Sequence, residues 1–270
     1  MNKMLVATDF SKSSAFLDSH IEALGQIGVK DVTLLHVMDE PDADTSDSEG
    51  RRSALKKLGA WKRKLEEKDF VVEAFLRWGD PAIEINIMAS EEKVDLILLS
   101  SIQRHYIKRA LLGSVSLQLA KIATCPVLVV KEEAPSWQTE DFNLFKKALI
   151  PTDFSLASLT PLDLIRTMRN FVEEVVFVHI LEDKKDREHS EVALTELVEE
   201  LEEFGIKAVY YIVKGSPAKG IIKTAENIGA SMVLLPKTGD GVVKSLLVGS
   251  TTQKVAVELE IPVMMIPTEQ

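Results

Sequence analysis

Two aspartates occupy the same four-residue setting. TDFS stands at residues 8–11 and again at 152–155, each time after a short apolar run, KMLVA or KALIP. A carboxylate there could accept hydrogen bonds from a ligand hydroxyl, or it could cap the helix that follows, helped by Ser11 or Ser155. A second feature is Gly249-Ser250-Thr251-Thr252 ahead of QKVAVEL, with Gly113-Ser114-Val115 in the corresponding place earlier in the chain. The open amides of a helix N-terminus attract anions, each contact being worth about 0.3–1 kcal/mol. A glycine at that point lets a phosphate reach the backbone. Ser250, Thr251 and Thr252 add hydroxyls, Lys237 and Lys244 add charge, and Gly239 and Gly241 loosen the approach. Taken alone, glycine-serine before a helix reads as an ordinary cap. His36 and His179 close apolar runs with no serine or cysteine placed to use them, so they read as hydrogen-bonding groups rather than catalysts. Cys125, in ATCPVLVV, reads as a buried structural thiol. No cluster has metal-ligand spacing.

The elements that position these residues recur along the whole chain. LLHV ending at Val37 matches FVHI ending at Ile180, WGDPA matches KGSPA, LLGSV matches LVGST, and CPVLVV matches IPVMMI. Gly79 and Gly215, Gly113 and Gly249, and Pro126 and Pro262 are all 136 positions apart, whereas Asp9 and Asp153 are 144 apart. The first copy therefore carries extra residues, most simply in the acidic stretch MDEPDADTSDSEG, which reads as a loop. The expected organisation is two domains, residues 1–131 and 146–270, joined by a polar, proline-containing linker over 132–145.

Within each copy, short continuous apolar runs alternate with helical spacing. KMLVAT, VTLLHV, VVEAFL, DLILLS and PVLVVK in the first are answered by KALIPT, VVFVHI, KAVYYIV, SMVLLP and PVMMIP in the second. Continuous hydrophobicity predicts parallel strands buried on both faces. Leu194, Leu197, Val198 and Leu201, with a stop at Gly205, predict one helix. Asp80-Pro81 and Ser216-Pro217 predict capped helix starts. The fold class is α/β: two tandem doubly wound, Rossmann-like domains, each a five-stranded parallel sheet with strand order 3-2-1-4-5. In such sheets ligands bind beyond the carboxyl ends of the strands, where the order reverses. That reversal lies between strands 1 and 4, and it would bring TDFS beside SSIQ in copy one and beside PKTG in copy two.

With these motifs in place the chain resembles the universal stress protein family, whose nucleotide loop runs Gly-x2-Gly-x9-Gly-Ser/Thr. The resemblance covers both halves and makes the chain look like a tandem member. It implies binding of an adenine nucleotide, AMP or ATP, with magnesium entering only through the phosphates. In copy two Gly239, nine residues and then Gly249-Ser250 fit the loop, while Pro236 stands where the first glycine belongs. The nucleotide residues implied are Thr152 and Asp153 toward the ribose or adenine, Ile180 on adenine through its backbone, and Pro236, Lys237, Gly239, Gly249, Ser250 and Thr251 around the phosphates. Copy one has Ser100 and Gln103 at the two leading glycine positions, so Asp9, Val37, Ser100, Gln103, Gly113, Ser114 and Val115 outline a degenerate counterpart.

Composition narrows the alternatives. The 270 residues carry a net charge of −10, which argues against broad attraction to nucleic acid or anionic lipid. A single cysteine, no apolar run of spanning length and no signal-peptide pattern make a cytoplasmic protein the expectation. The run EDKKDREHSE reads as a solvated helix entry. A nucleotide-binding stress or regulatory protein competes with a slow ATPase or nucleotidyl transferase, for which no base or metal ligands are evident. A flavin protein would need a glycine loop after strand 1, and a ligand-free interaction module would have both loops empty. Strand 5 of each copy would be an apolar edge, so the halves are expected to pair there within one chain, and association of two chains stays open.

Overall fold

A computed structural model describes residues 1–11, 14–38, 49–101, 113–131, 143–181, 187–237 and 248–268. The chain divides into two compact units. The first contains β1 (Lys3–Ala7), α1 (Ser14–Gln26), β2 (Asp31–Met38), α2 (Glu49–Glu66), β3 (Val71–Trp78), α3 (Pro81–Glu91), β4 (Leu96–Ser101), α4 (Ser114–Ile122) and β5 (Val127–Lys131). The second contains β6 (Lys147–Pro151), α5 (Leu156–Thr167), β7 (Glu174–Leu181), α6 (Arg187–Glu203), β8 (Ala208–Lys214), α7 (Pro217–Ile228), β9 (Met232–Pro236), α8 (Ser250–Glu258) and β10 (Val263–Ile266). The linker and the acidic loop fall largely outside the described residues.

In the first unit the strands lie in the order β3-β2-β1-β4-β5, every neighbouring pair parallel. In the second the order is β8-β7-β6-β9-β10, again parallel throughout. Both are the expected 3-2-1-4-5. The central strands are the continuous apolar runs: Met4 to Val6, Leu96 to Leu98, Ala148 to Ile150 and Met232 to Leu234 have no exposed surface. Such strands, covered by helices on both faces, cannot alternate polar with apolar.

The outer strands differ from the expectation. VVEAFL and KAVYYIV read as doubly buried, yet only Val72 in β3 and Ala208 in β8 are buried. The other residues of both strands keep part of their surface exposed: Val71, Glu73, Tyr211 and Lys214 are exposed and the rest half-buried.

Gly79 and Gly215 make the turn from third strand to helix, with φ of 131° and 138°. A side chain is strained there, and each glycine amide extends the ladder, to Met38 O (3.0 Å) and Leu181 O (3.3 Å). Asp80 then caps α3 by accepting from the Ile83 amide at 3.0 Å, with Pro81 in the first turn. Ser216 holds the same position before Pro217, but its hydroxyl makes no capping bond to α7. Ser216 is thus the N-cap by position without the expected side-chain bond, and Pro217 in the first turn marks the start.

Candidate functional site

β6 ends at Pro151, and its pairing with β7 runs one bond further, Thr152 N–H to Val178 O at 3.0 Å. The chain then reverses at Phe154, whose φ of 65° is uncommon for a bulky residue. Side chains hold this turn. Thr152 Oγ1 accepts from the Phe154 amide at 3.0 Å, and Asp153 Oδ1 accepts from the Ser155 amide at 3.0 Å and its hydroxyl at 2.5 Å. Ser155 Oγ in turn accepts from the Ser158 amide at 3.2 Å. The cap of α5 is thus Ser155, not Asp153. Asp153 braces the cap and keeps its carboxylate exposed on the rim.

His179, on β7, locks the same turn. Its Nδ1 lies 2.9 Å from Thr152 O, and its ring lies 4.5 Å from that of Phe154. A carbonyl only accepts, so Nδ1 carries the proton and is the donor. That fits the expected hydrogen-bonding role.

The N-terminus of α8 meets the end of β9. Thr252 Oγ1 donates to Pro236 O at 2.9 Å, and the Gly249 amide donates to Lys237 O at 3.0 Å. β9 pairs directly with β6, through Leu149 opposite Val233, so α8 and TDFS flank one reversal of strand order. One sequence expectation changes here: the Thr252 hydroxyl is taken by the Pro236 carbonyl instead of facing a ligand, while Pro236 is buried at the end of β9, as the run SMVLLP predicts. Gly249 is the N-cap, with φ −57° and ψ 142°, and no side chain caps α8. Ser250 is exposed and Thr251 half-buried. Lys237 is half-buried, its ammonium pushed below the ordinary lysine value by burial, and no carboxylate among the described residues pairs with it. Gly239, Gly241 and Lys244 lie outside the described residues.

The first domain repeats the turn. Phe10 has φ 55°, and its amide donates to Thr8 Oγ1 at 3.0 Å. Asp9 Oδ1 accepts from the Ser11 amide at 2.8 Å, and His36 Nδ1 donates to Thr8 O at 2.7 Å. The Lys57 ammonium sits 5.2 Å over the Phe10 ring, a contact without a counterpart among the described residues of the second domain. Ser100 lies inside β4, paired with Val130, and Gln103 lies outside the described residues. Ser101 stands where the second domain has Lys237, and the Gly113 amide approaches its Oγ at 3.4 Å. Ser114 is exposed and Val115 half-buried at the start of α4. Gly113, like Gly249, has an ordinary φ, −52°. A Cβ added there would find its nearest neighbours, Ser101 Oγ and Ser116 Oγ, at 3.8 Å.

The walls opposite the strand ends also differ. Ile180 is buried against α7 at Gly220, where an added Cβ would lie 2.5 Å from Ile180 Cδ1. Its ladder partner on β8 is Val213. In the first domain Val37 is half-buried, its ladder partner is Arg77, and Arg77 pairs with Glu84 and Glu91. Glu84 is the counterpart of Gly220 at the same 136-residue spacing. Sequence reasoning missed Gly220, though a glycine inside the helix PAKGIIKTAENI was a signal, since it costs about 1 kcal/mol against alanine.

Cys125 is half-buried rather than buried, because it precedes β5 instead of lying in it. Burial still pushes its thiol up to about 11, so it is a poor nucleophile at neutral pH. Among the described residues no group of three or more potential ligands could hold a metal ion, and no helix is long and apolar enough to cross a membrane.

Comparison with known proteins agrees with this architecture. The chain is 35% identical over 147 residues to universal stress protein YxiE of Bacillus subtilis, covering 48% of this chain and 99% of the relative. It is 30% identical over 154 residues to universal stress protein MJ0577 of Methanocaldococcus jannaschii, covering 48% of this chain and 95% of the relative. Each relative therefore spans about half of the chain. A crystal structure of a universal stress protein from Archaeoglobus fulgidus superimposes with a TM-score of 0.83 at 25% identity, covering 100% of this chain and 97% of that one. The model of the Universal stress protein family matches twice, over residues 1–131 and 144–267, and the chain belongs to that family.

Proposed function

We propose that the chain is an adenine-nucleotide-binding stress-response or regulatory protein and that its second domain holds the nucleotide, AMP or ATP. The observation that carries this reading is the start of α8. Gly249 has a backbone conformation open to any residue, and α8 has no side-chain cap. Neither backbone geometry nor capping calls for glycine there, whereas close approach of a phosphate to open amides does. Lys237, whose backbone carbonyl receives the Gly249 amide, carries a half-buried positive charge that can reach a phosphate there.

In this reading Gly239, Gly249, Ser250, Thr251 and Lys237 surround the phosphates, with any divalent ion entering on them, and Pro236 anchors the loop to the sheet. Thr152 and Asp153 face the ribose, and the Ile180 backbone meets adenine. Asp9, Val37, Ser100, Gln103, Gly113, Ser114 and Val115 form the weaker counterpart, where a serine replaces the lysine. The apolar character of β5 and β10 supports the further proposal that these edges pair within the chain, and the single cysteine suits a reducing, cytoplasmic setting.

Calorimetric titration with ATP, ADP and AMP tests the site. The wild-type chain should bind at least one of them, and Gly249→Val should weaken that binding at least about tenfold, the equivalent of one lost charge-assisted hydrogen bond. Unchanged affinity in the variant would remove the loop assignment, and no binding by the wild type would remove the function.

A further inference from the structure

α2 and α6 hold the same place in the two repeats, each following the second strand of its domain, yet their charges are opposite. α2 carries seven lysines and arginines against two glutamates, and α6 seven glutamates against one arginine, so the difference goes beyond ordinary surface variation. Core packing does not require it, because both helices bury apolar residues, Leu58, Trp61 and Leu65 in α2 and Leu194, Leu197 and Leu201 in α6.

The outward faces hold the opposition. On α2, Arg52, Lys56 and Arg63 are exposed along one stripe around Leu55, itself 44% exposed. On α6, Glu196, Glu199 and Glu203 are exposed along a stripe with Val192, 56% exposed. Other charges of these helices have partners: Lys62 with Glu66, Lys64 with Asp18, Glu191 with Arg187, and Glu200 with Arg166. Lys56, Arg63, Glu196, Glu199 and Glu203 make no ion pair among the described residues.

We propose that the basic face of α2 docks against the acidic face of α6 in a second copy of this chain. Leu55 and Val192 would form the apolar centre of each contact and the unpaired charges its rim. Every copy carries one face of each kind, so any two copies can bring unlike faces together. Complementary charge sets the partner and speeds encounter, while nucleic acid or anionic lipid is a poorer partner for a chain with a net charge of −10. The proposal stands independently of nucleotide binding.

Sedimentation of the full chain tests it. The wild type should dimerise at about 50 mM salt and lose at least about tenfold in association constant at about 500 mM, where charges are screened within a few ångströms. The variants K56E/R63E and E196K/E199K alter exposed positions, so each should fold, as checked by circular dichroism, and each should lose self-association. Mixed together they should form a heterodimer, since one then offers two acidic faces and the other two basic ones. A wild type monomeric at low salt, a dimer unaffected by salt and by both variants, or a mixture that stays monomeric overturns the proposal. So does wild-type chain that binds duplex DNA or anionic vesicles through Lys56 and Arg63 without self-association.

Discussion

Replacing Gly220 with alanine isolates the wall of the proposed nucleotide crevice. The new Cβ would lie 2.5 Å from Ile180 Cδ1, 3.3 Å from Cγ1 and 3.5 Å from Cγ2. Carbon atoms settle at about 3.5–4.0 Å, so Cδ1 must move by about 1 Å, and it is the free end of a rotatable side chain. Overpacking of this kind costs about 1–3 kcal/mol. Alanine in place of glycine within α7 returns about 0.8–1 kcal/mol of helix propensity. The net loss is then about 0–2 kcal/mol, a fall in Tm of at most about 8 °C at roughly 4 °C per kcal/mol. The severe overlap is with the terminal methyl, so Ile180→Val removes most of the obstacle, at its own cost of about 0.5–1.5 kcal/mol. Gly220→Ala should therefore be less costly in the I180V background than in the wild type, with a coupling of about 1–2 kcal/mol across the cycle. Urea denaturation of the four proteins measures it, and nucleotide titration shows whether moving the side chain changes the site. Additive effects, with no coupling beyond error, would refute the packing argument.

Two predictions concern the framework of each domain. Asp18 is buried beside α2, accepting from Trp61 Nε1 at 2.6 Å and Lys64 Nζ at 2.5 Å, and its hydrogen bond holds Lys64 above the ordinary lysine value. Asp18→Ala strands the Trp61 N–H and should cost about 1–3 kcal/mol in urea denaturation, with Asp18→Asn recovering part of it; an unaltered midpoint would contradict the pairing. Glu174 is held below the ordinary carboxylate value first by its hydrogen bond to Lys207 and also by Lys147. With the folded value depressed, its stabilisation is complete above the unfolded carboxyl value and is lost as pH falls through the folded one. Glu174→Gln should be less stable than the wild type at pH 7, and the gap should close on acidification below about pH 4; a gap constant with pH would reject the assignment.

The sheet was legible in the sequence because its punctuation is steric. Glycines that need positive φ, prolines in first turns and continuous apolar runs recur at one spacing, so the same backbone could be inferred twice. The outer strands were less legible, since composition does not tell a strand with two neighbours from a strand with one. The placement of Asp153 and Gly249 at the reversal of strand order was legible, but not who holds whom around them. Whether Asp153 or Ser155 caps α5 turns on two hydrogen bonds, the Ser155 hydroxyl to Asp153 Oδ1 and the Ser158 amide to Ser155 Oγ. Thr252 looked like a ligand hydroxyl until its bond to Pro236 O showed it tying α8 to β9. Gly220 matters through Ile180, 40 positions away, a contact that no local pattern contains. The opposition between α2 and α6 was visible as letters, but only burial shows that both charged faces point outward.

The strained phenylalanine separates what the two domains share from what they do not. Phe10 and Phe154 both adopt φ near 60°, at a cost of about 1–2 kcal/mol each for a side chain that glycine would spare. If the strain served a bound nucleotide alone, the domain with the poorer loop would have no use for it, yet both copies show it with the same bonds. In each, the amide after the aspartate is tied to the threonine hydroxyl, the histidine donates to the threonine carbonyl, and the two rings lie 4.5 Å apart. The ring contact explains the choice of residue: glycine would relieve the backbone but leave the histidine face bare, forfeiting about 0.5–1.5 kcal/mol of aromatic contact in addition to the buried area. The turn is therefore a structural clamp that presents an aspartate at the reversal of strand order whether or not a ligand is held. What differs lies around it, Lys237 against Ser101 and Gly220 against Glu84. A lysine transplanted by Ser101→Lys therefore has a rim ready to receive it in the first domain, but the ion-paired Arg77 and Glu84 would still stand where the second domain has Val213 and Gly220 packed against Ile180.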